Sequence, residues 1–263
     1  MDTINLFVAG FTIRIVFLET EFPSVKEVFK NYINKYHRNF IIADSTNPVD
    51  LFIEFTWDDK QEVVVRQKEG KYFINFYRYK ARNKIRTYYQ ISFHQFNVVL
   101  RNALHALLSR HNGFFLHASA SCIGGANIFV GKSGTGKSTV SQFLKKKFQL
   151  LADDAVIIKR NSQNFSLYQT PFLEKNYVPN KLTSAYPLQN VFFLKKAKNI
   201  KLQKIKDESI ILENILQQTY SVEGITRQQI RIIKDFIRLH SEFYYLYFPN
   251  DPRKVLDFFT NII

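Results

Sequence analysis

Three glycines, two lysines, two serines and a threonine make up one short segment, GKSGTGKS at residues 131–138, with the spacing G-x-x-x-x-G-K-[ST]. Glycines in such a segment let several backbone N–H groups point at one anion, and the dipole of a following helix favours the same negative charge. Lys137 would reach the β- and γ-phosphates of a nucleotide, and the Ser138 hydroxyl would bind Mg²⁺. The predicted nucleotide-binding residues are Gly131, Ser133, Gly134, Thr135, Gly136, Lys137, Ser138 and Thr139.

The flanking residues favour a strand before this segment and a helix after it. Residues 127–130 form a short β-rich run. After the segment, Val140, Phe143, Leu144 and Phe148 recur at helical spacing. Strand, loop and helix in this order support a phosphate-binding loop, whereas the alternative is a Gly/Ser-rich loop at the surface.

Two adjacent carboxylates, Asp153 and Asp154, interrupt the apolar run of residues 149–158. Burying an aspartate is costly unless it meets a cation or a donor, and Mg²⁺ and a substrate hydroxyl are the obvious candidates. The short separation from Lys137 predicts that this run is one buried strand, parallel to the strand before the loop and directly beside it. The alternative is a carboxylate pair that caps a turn.

A Gly-Gly pair at residues 124–125 predicts a tight antiparallel hairpin whose second strand leads into the loop. With a two-residue turn, His117 lies opposite Lys132, so the hairpin would bring the imidazole to the mouth of the loop. An active-site histidine and an ordinary core histidine both fit this position.

Three segments in this order and spacing, LHASA at 116–120, GKSGTGKS at 131–138 and LADD at 151–154, resemble the catalytic domain of HPr kinase/phosphorylase. They look even more like HPr-kinase-like proteins outside sugar regulation, including kinases of peptide-maturation systems and of free serine. Thr170-Pro171-Phe172 is also similar to that group, and the resemblance covers about residues 113–172.

The resemblance implies a nucleotide-binding fold of the phosphoenolpyruvate-carboxykinase type that uses ATP and Mg²⁺. It implies that one of Asp153 and Asp154 is the general base, that the other helps to hold the metal, and that His117 assists near the phosphate. The implied catalytic residues are Asp153, Asp154, Lys137 and His117, and the implied metal ligands are Ser138, Asp154 and Glu174. An acidic residue followed by Arg-Gly and an aliphatic run, the signature of true HPr kinases, is not visible in the sequence. This difference argues against HPr as substrate and against the phosphorylase reaction.

Composition predicts a packed protein with an uneven positive charge. The chain has 263 residues, 16% of them aromatic, a net charge of +15 and a single cysteine, which excludes an internal disulfide framework. The acidic start and the absence of any run near the ~20 apolar residues of a membrane span predict a cytoplasmic protein without a membrane segment. Residues 61–112 carry ten Lys/Arg against two Asp/Glu. This excess suggests an anionic partner or a merely solvated basic surface.

The predicted fold is α/β, with an N-terminal α+β accessory region (1–112) and a loop-containing catalytic domain (113–263) built on a mixed sheet with flanking helices. Predicted helices cover 25–36 with a Ser24 cap, 96–108, 139–148, 208–220, 226–240 and 252–263. Predicted strands cover 6–8, 12–17, 51–57, an antiparallel meander at 62–67, 72–79 and 85–93, then 114–123, 126–130, 149–158, 191–194 and 243–248. Basic residues at the second meander hairpin suit a nucleic-acid platform or, in the structural alternative, a solvated strand edge: Arg78, Lys80, Arg82, Lys84 and Arg86.

The expected function is transfer of the γ-phosphate of ATP, with Mg²⁺, to a hydroxyl of a peptide, protein or small molecule. One alternative is a non-catalytic nucleotide switch or an ATPase that controls a partner. Another is a nucleic-acid-binding ATPase, which the basic meander would serve, although a nucleic-acid partner is the less expected one. An ABC-type ATPase is disfavoured because no L-S-G-G-Q-like stretch is present. The sequence leaves a homo-oligomer open.

Overall fold

The structure is a computed structural model that describes residues 2–43, 48–59, 64–68, 71–172, 178, 181–220 and 225–261. The chain divides into two compact units, Met1–Leu107 and Leu108–Ile263. The sequence-based boundary between residues 112 and 113 remains a prediction. Among the described residues, no helix combines the length and the hydropathy that crossing a bilayer requires.

The first unit is built on a mixed sheet. Its elements in chain order are β1 (Asp2–Val8), β2 (Phe11–Phe17), α1 (Pro23–Tyr36), a 3₁₀ turn (Arg38–Phe40), β3 (Ile41–Ile42), β4 (Leu51–Thr56), β5 (Val64–Lys68), β6 (Lys71–Asn75), β7 (Tyr77–Lys80), β8 (Lys84–Tyr88) and α2 (Phe93–Arg110). Six strands form one sheet in the order β3-β1-β2-β4-β8-β7, while β5 and β6 form a separate hairpin. The strand pair around Gly10 is confirmed.

Both antiparallel pairings of the predicted meander are present, because β5 pairs with β6 and β7 pairs with β8. The predicted strand 72–79 is wrong, however, because it is divided into β6 and β7, which lie in different sheets. β8 pairs in parallel with β4, which itself pairs in parallel with β2. The Glu54 carboxylate on β4 is 8% exposed and meets Lys84 at 2.7 Å and Arg86 at 2.8 Å on β8. A nearly buried carboxylate needs such cations, so these two members of the basic cluster have a structural role in the sheet.

Two local predictions in this unit are also corrected. The N-cap of α1 is Phe22 rather than Ser24, because Pro23 already occupies the first turn, and no side chain caps the helix. Phe93 begins α2 instead of ending a strand.

The second unit contains the loop. Its elements are β9 (Gly113–Leu116), β10 (Ala118–Cys122), β11 (Ala126–Val130), α3 (Lys137–Leu144), β12 (Gln149–Ala152), β13 (Val156–Asn161), β14 (Asn164–Gln169), β15 (Tyr186–Lys196), β16 (Lys201–Lys204), α4 (Glu208–Leu216), α5 (Arg227–Leu239), β17 (Phe243–Phe248) and α6 (Pro252–Asn261). Its sheet has the order β12-β10-β11-β15-β14-β13-β9, and β17 pairs with β15 and β16. The strands β11, β15 and β17 are mutually parallel, and the other pairs are antiparallel. A mixed α/β architecture with flanking helices is therefore present.

Helices cover both faces of the parallel strands because side chains alternate along a strand. On one face, Ile128 of β11 and Phe193 of β15 pack in a cluster with residues of α4 and α5. On the other face, Phe129 and Phe192 pack in a second cluster with residues of α3 and α6. The paired segments 128–130 of β11 and 191–193 of β15 are consequently apolar at every position, as expected for parallel strands buried on both sides.

The predicted hairpin register is wrong by one residue. Ala118 lies opposite Val130 and Cys122 opposite Ala126, so the turn holds three residues instead of two. Asn127 explains the longer turn, since its Nδ2 donates to the carbonyl oxygens of Ile123 at 2.8 Å and of Gly125 at 3.1 Å. The predicted pairing of His117 with Lys132 is thus excluded.

The predicted strand 149–158 is also divided. β12 ends at Ala152, the chain bends at Asp153 and Asp154, and β13 begins at Val156. β12 pairs with β10 rather than with β11, so it runs parallel to β11 with one strand between them. A straight strand through this buried sheet would enclose both carboxylates, whereas the bend leaves the Asp154 side chain 40% exposed.

Candidate functional site

The glycine-rich segment connects β11 to α3 in a conformation that only glycine adopts easily. Gly134 has φ +81° and Gly136, the N-cap of α3, has φ +105°. A Cβ added at Gly136 would lie 2.6 Å from the ring of Phe248. The backbone thus curls tightly before α3, and the N–H groups of the first helical turn have no partner within the helix and are suited to bind an anion.

Lys137 is held inside this curl. It is 7% exposed, and its Nζ donates to the carbonyl oxygen of Gly131 at 2.6 Å. Burial lowers the pKa of the Lys137 ammonium, and the nearby carboxylates of Asp154 and Asp153 partly oppose that shift. A desolvated cation of this kind binds an anion strongly.

Ser138 lies next to the more buried carboxylate. Its Oγ is 3.5 Å from Oδ2 of Asp153, which is 2% exposed. No group of three or more potential metal-ligating side chains occurs in the described part of the chain. A hydroxyl and one carboxylate still fit Mg²⁺, because this ion takes one or two carboxylates and completes its shell with phosphate oxygens and water. The geometry favours Asp153 over the predicted Asp154 as the ligand, and Glu174 lies outside the described residues.

Asp154 forms a cluster with His117 and Tyr220. Nδ1 of His117 is 3.3 Å from Oδ1 of Asp154, and the Tyr220 hydroxyl is 3.4 Å both from Oδ2 of Asp154 and from Nδ1 of His117. His117 occupies the junction between β9 and β10, where its backbone N–H donates to the Gln218 carbonyl oxygen at 2.7 Å. The adjacent N–H of Ala118 donates to the Asp154 carbonyl oxygen at 3.2 Å. The junction, rather than the predicted hairpin register, brings His117 to the carboxylate.

Tyr220 was missed by sequence reasoning. It lies 103 residues from His117 in the chain, and it was assigned only to the end of a predicted helix, 208–220. The helix ends at Leu216, and the following residues pair with β9 through a Leu116–Thr219 bridge and a 3.3 Å hydrogen bond from Tyr220 N to Phe115 O. No periodicity or motif signals such a contact.

Two clefts open beside the glycine-rich segment. The smaller one measures about 340 Å³ and is lined by His117, Ser133, Gly134, Gly136, Lys137, Ser138, Thr139, Asp153, Asp154 and Lys196. The larger one measures about 540 Å³ and is lined by Val130, Gly131, Lys132, Ser133, Gly134, Thr135, Phe193, Leu194, Lys195, Lys196, Asn214, Gln217 and Gln218. Ser133, Gly134 and Lys196 line both clefts, so the two are adjoining.

The predicted site residues divide between these clefts. All four predicted catalytic residues line the smaller cleft, together with Ser133, Gly134, Gly136, Ser138 and Thr139. Gly131 and Thr135 line only the larger one. Lys196, at the end of β15, was not predicted and lines both.

Comparisons with known proteins find similarity among solved structures. No protein-family model matches the chain, and no curated protein matches it. Among solved structures, the HPr(Ser) kinase/phosphatase from Coxiella burnetii is similar with a TM-score of 0.32 and 13% identity, covering 56% of this chain and 93% of that one. The chemistry assigned to this protein therefore rests on the geometry of its own two clefts.

Proposed function

We propose that this protein is an ATP- and Mg²⁺-dependent kinase that transfers the γ-phosphate to a hydroxyl group of a peptide, a protein or a small molecule. One observation carries the proposal: Lys137, Ser138, Asp153, Asp154 and His117 line a single cleft of about 340 Å³ beside the N-terminus of α3. That combination provides a cation, a metal-binding pair and a base where a phosphate group would be held.

The phosphate groups would be bound by backbone N–H groups of residues 133–139 and by the buried Lys137. Ser138 and Asp153 would hold Mg²⁺, which supplies positive charge to the β- and γ-phosphate oxygens. These groups stand in place before any substrate arrives, so no reorganisation is needed as negative charge shifts toward the leaving oxygen.

Asp154 is the carboxylate suited to act as the base. Its side chain is 40% exposed in the cleft, whereas Asp153 is 2% exposed beside Ser138. Asp154 accepts the proton of the substrate hydroxyl while the hydroxyl oxygen forms a bond to the γ-phosphorus. The bond between that phosphorus and the β–γ bridging oxygen breaks, and ADP leaves. His117 and Tyr220 hold the orientation of the Asp154 carboxylate through the contacts described above.

Incubation with γ-labelled ATP and Mg²⁺ tests the proposal. Peptides, proteins and hydroxyl-bearing metabolites are offered as acceptors, and mass spectrometry identifies what gains a phosphate. A labelled acceptor whose labelling disappears in Asp154→Asn supports the kinase. A protein that binds MgATP and labels nothing, or that labels an acceptor equally well as Asp154→Asn, contradicts it and favours a nucleotide switch.

A further inference from the structure

The larger cleft lies where the connections of the sheet change sides. β11 continues into α3, which packs on one face of the sheet. β15 is followed by β16 and then by α4 and α5, and these two helices pack on the other face. β11 and β15 are parallel neighbours, so a crevice forms between their carboxyl ends. In open α/β sheets, ligands bind in the crevice at such a switch point. Residues that follow β11 and residues at the end of β15 line the cleft of about 540 Å³.

The wall that α4 contributes to this cleft consists of amide side chains. Nδ2 of Asn214 donates to the Ile210 carbonyl oxygen at 2.7 Å, and Nε2 of Gln217 donates to Glu213 Oε1 at 3.0 Å. One N–H of each amide is thus engaged by the helix itself, which leaves the second N–H and the carbonyl oxygen for a ligand.

Gln218 keeps its whole amide for a ligand. Its backbone carbonyl accepts from His117, but its side chain makes no hydrogen bond with any residue that the structure describes. An amide presents a donor and an acceptor side by side, which matches the amino group and the ring nitrogen on one edge of adenine.

The acceptor and the phosphates of the donor would occupy the smaller cleft, and the rest of the donor would occupy the larger one. The acceptor hydroxyl must come within hydrogen-bond reach of Asp154, which lines only the smaller cleft. That cleft also contains Lys137 and Ser138, where the phosphates would be held. Its volume of about 340 Å³ then leaves the rest of the donor to the adjoining cleft across Ser133, Gly134 and Lys196.

We propose that the larger cleft binds the nucleoside of the phosphate donor, with the Gln218 amide recognising adenine and Asn214 accepting from its amino group. The inference rests on the proposed function, because it assumes phosphates in the smaller cleft. A nucleoside site implies that the phosphate donor is ATP rather than an inorganic polyphosphate. It also favours adenine over guanine, because none of the described residues that line the larger cleft is a carboxylate that could accept from both donors on the edge of guanine.

Calorimetric titration with Mg²⁺ and ATP, GTP or tripolyphosphate tests this site without any phosphoryl transfer. Tripolyphosphate carries at least the charge of ATP, so a protein that contacts phosphates alone binds it no more weakly. We expect ATP to bind the unaltered protein about tenfold more tightly than GTP or tripolyphosphate. Gln218→Ala should remove about tenfold of the ATP affinity and leave tripolyphosphate binding unchanged.

Two further variants keep the test decisive. Asn214→Ala should weaken ATP in the same selective way, and it supplies an answer if Gln218→Ala does not fold. Gln203→Ala, an exposed glutamine on β16, is the matched control and should change nothing. The site is refuted if ATP binds no better than tripolyphosphate, if neither ligand binds, or if Gln218→Ala weakens both ligands equally. Selective ATP binding without any labelled acceptor would support the nucleoside cleft and refute only the kinase.

Discussion

Nδ1 of His117 lies 3.3 Å from Oδ1 of Asp154, although the two residues belong to different strand junctions. His117 separates β9 from β10, and Asp154 lies at the bend between β12 and β13. The 3.2 Å hydrogen bond from Ala118 N to Asp154 O joins the two junctions. The imidazole can therefore stabilise the carboxylate from the protein side while the cleft side stays open to a substrate.

The first prediction concerns this carboxylate. Asp154→Asn should reduce phosphoryl transfer by roughly 10²- to 10⁴-fold, because the amide cannot accept a proton from the substrate hydroxyl. MgATP binding should change little, because Lys137 and Ser138 remain. Radiolabel transfer and calorimetry measure the two effects separately. Asp235→Asn on α5, whose side chain is 37% exposed, is a control of similar exposure and should keep full activity.

The second prediction separates the two aspartates. Asp153→Asn should raise the Mg²⁺ concentration needed for half-maximal ATP binding by about tenfold or more, because a buried metal ligand loses its charge. Asp154→Asn should leave that concentration unchanged. The check is titration of Mg²⁺ at fixed ATP with both variants. If Asp154→Asn raised the required Mg²⁺ concentration and Asp153→Asn did not, Asp154 would be the metal ligand.

The third prediction concerns the curl before α3. Gly136→Ala should abolish nucleotide binding and destabilise the protein by about 1–3 kcal/mol, because the residue has φ +105° and its new Cβ would lie 2.6 Å from the Phe248 ring. Gly134→Ala is the matched comparison, with φ +81° but nothing within 4 Å of the added Cβ. Denaturant unfolding should show a larger loss of stability for Gly136→Ala than for Gly134→Ala. The double variant Gly136→Ala/Phe248→Leu should recover part of that loss. Equal losses for the two single variants would exclude the ring contact as a cause.

The fourth prediction is a pH dependence of stability centred on His240. Its ring stacks on Phe236 and meets Phe243 edge-on, with centroids 5.6 Å and 5.1 Å away. Burial lowers the pKa of His240 to about 4 from its usual 6.5, while Glu242 opposes the shift. The folded state therefore disfavours protonation. Stability is complete above pH 6.5 and falls as the pH drops toward 4, by roughly 3 kcal/mol in all.

Urea unfolding of the unaltered protein and of His240→Gln between pH 7.5 and pH 4.5 measures this effect. The variant should lose much less stability over the interval. Glu242, whose pKa is lowered to about 2 from its usual 4.5 by its hydrogen bond from Lys204, loses its contribution to stability mainly below pH 4.5, so the two groups are separable. Parallel pH curves for the two proteins would show that His240 is not the responsible group.

Local features of the sequence predicted most of the elements and the residues of the proposed site. The spacing from Gly131 to Ser138 predicted a loop before a helix, because glycine freedom and a helix N-terminus are properties of consecutive residues. Apolar periodicity likewise predicted α5 and β17 closely, since the buried face of a helix or strand recurs within a few residues. The adjacent carboxylates were identified as candidates because charges inside an apolar run need a partner.

Only the tertiary structure decided how these pieces meet. The side chain of Asn127 lengthened the hairpin turn, and that one hydrogen-bonding group moved the register by a residue. Strand order placed β10 between β11 and β12, and the end of α4 brought Tyr220 and Gln218 to the site from about a hundred residues away. Pairing between distant strands depends on the packing of whole faces and on which backbone groups remain unpaired. The packing of whole faces is defined only once the chain has folded, whereas the chemistry proposed for Lys137, Ser138 and the two aspartates could be inferred from their order along the chain.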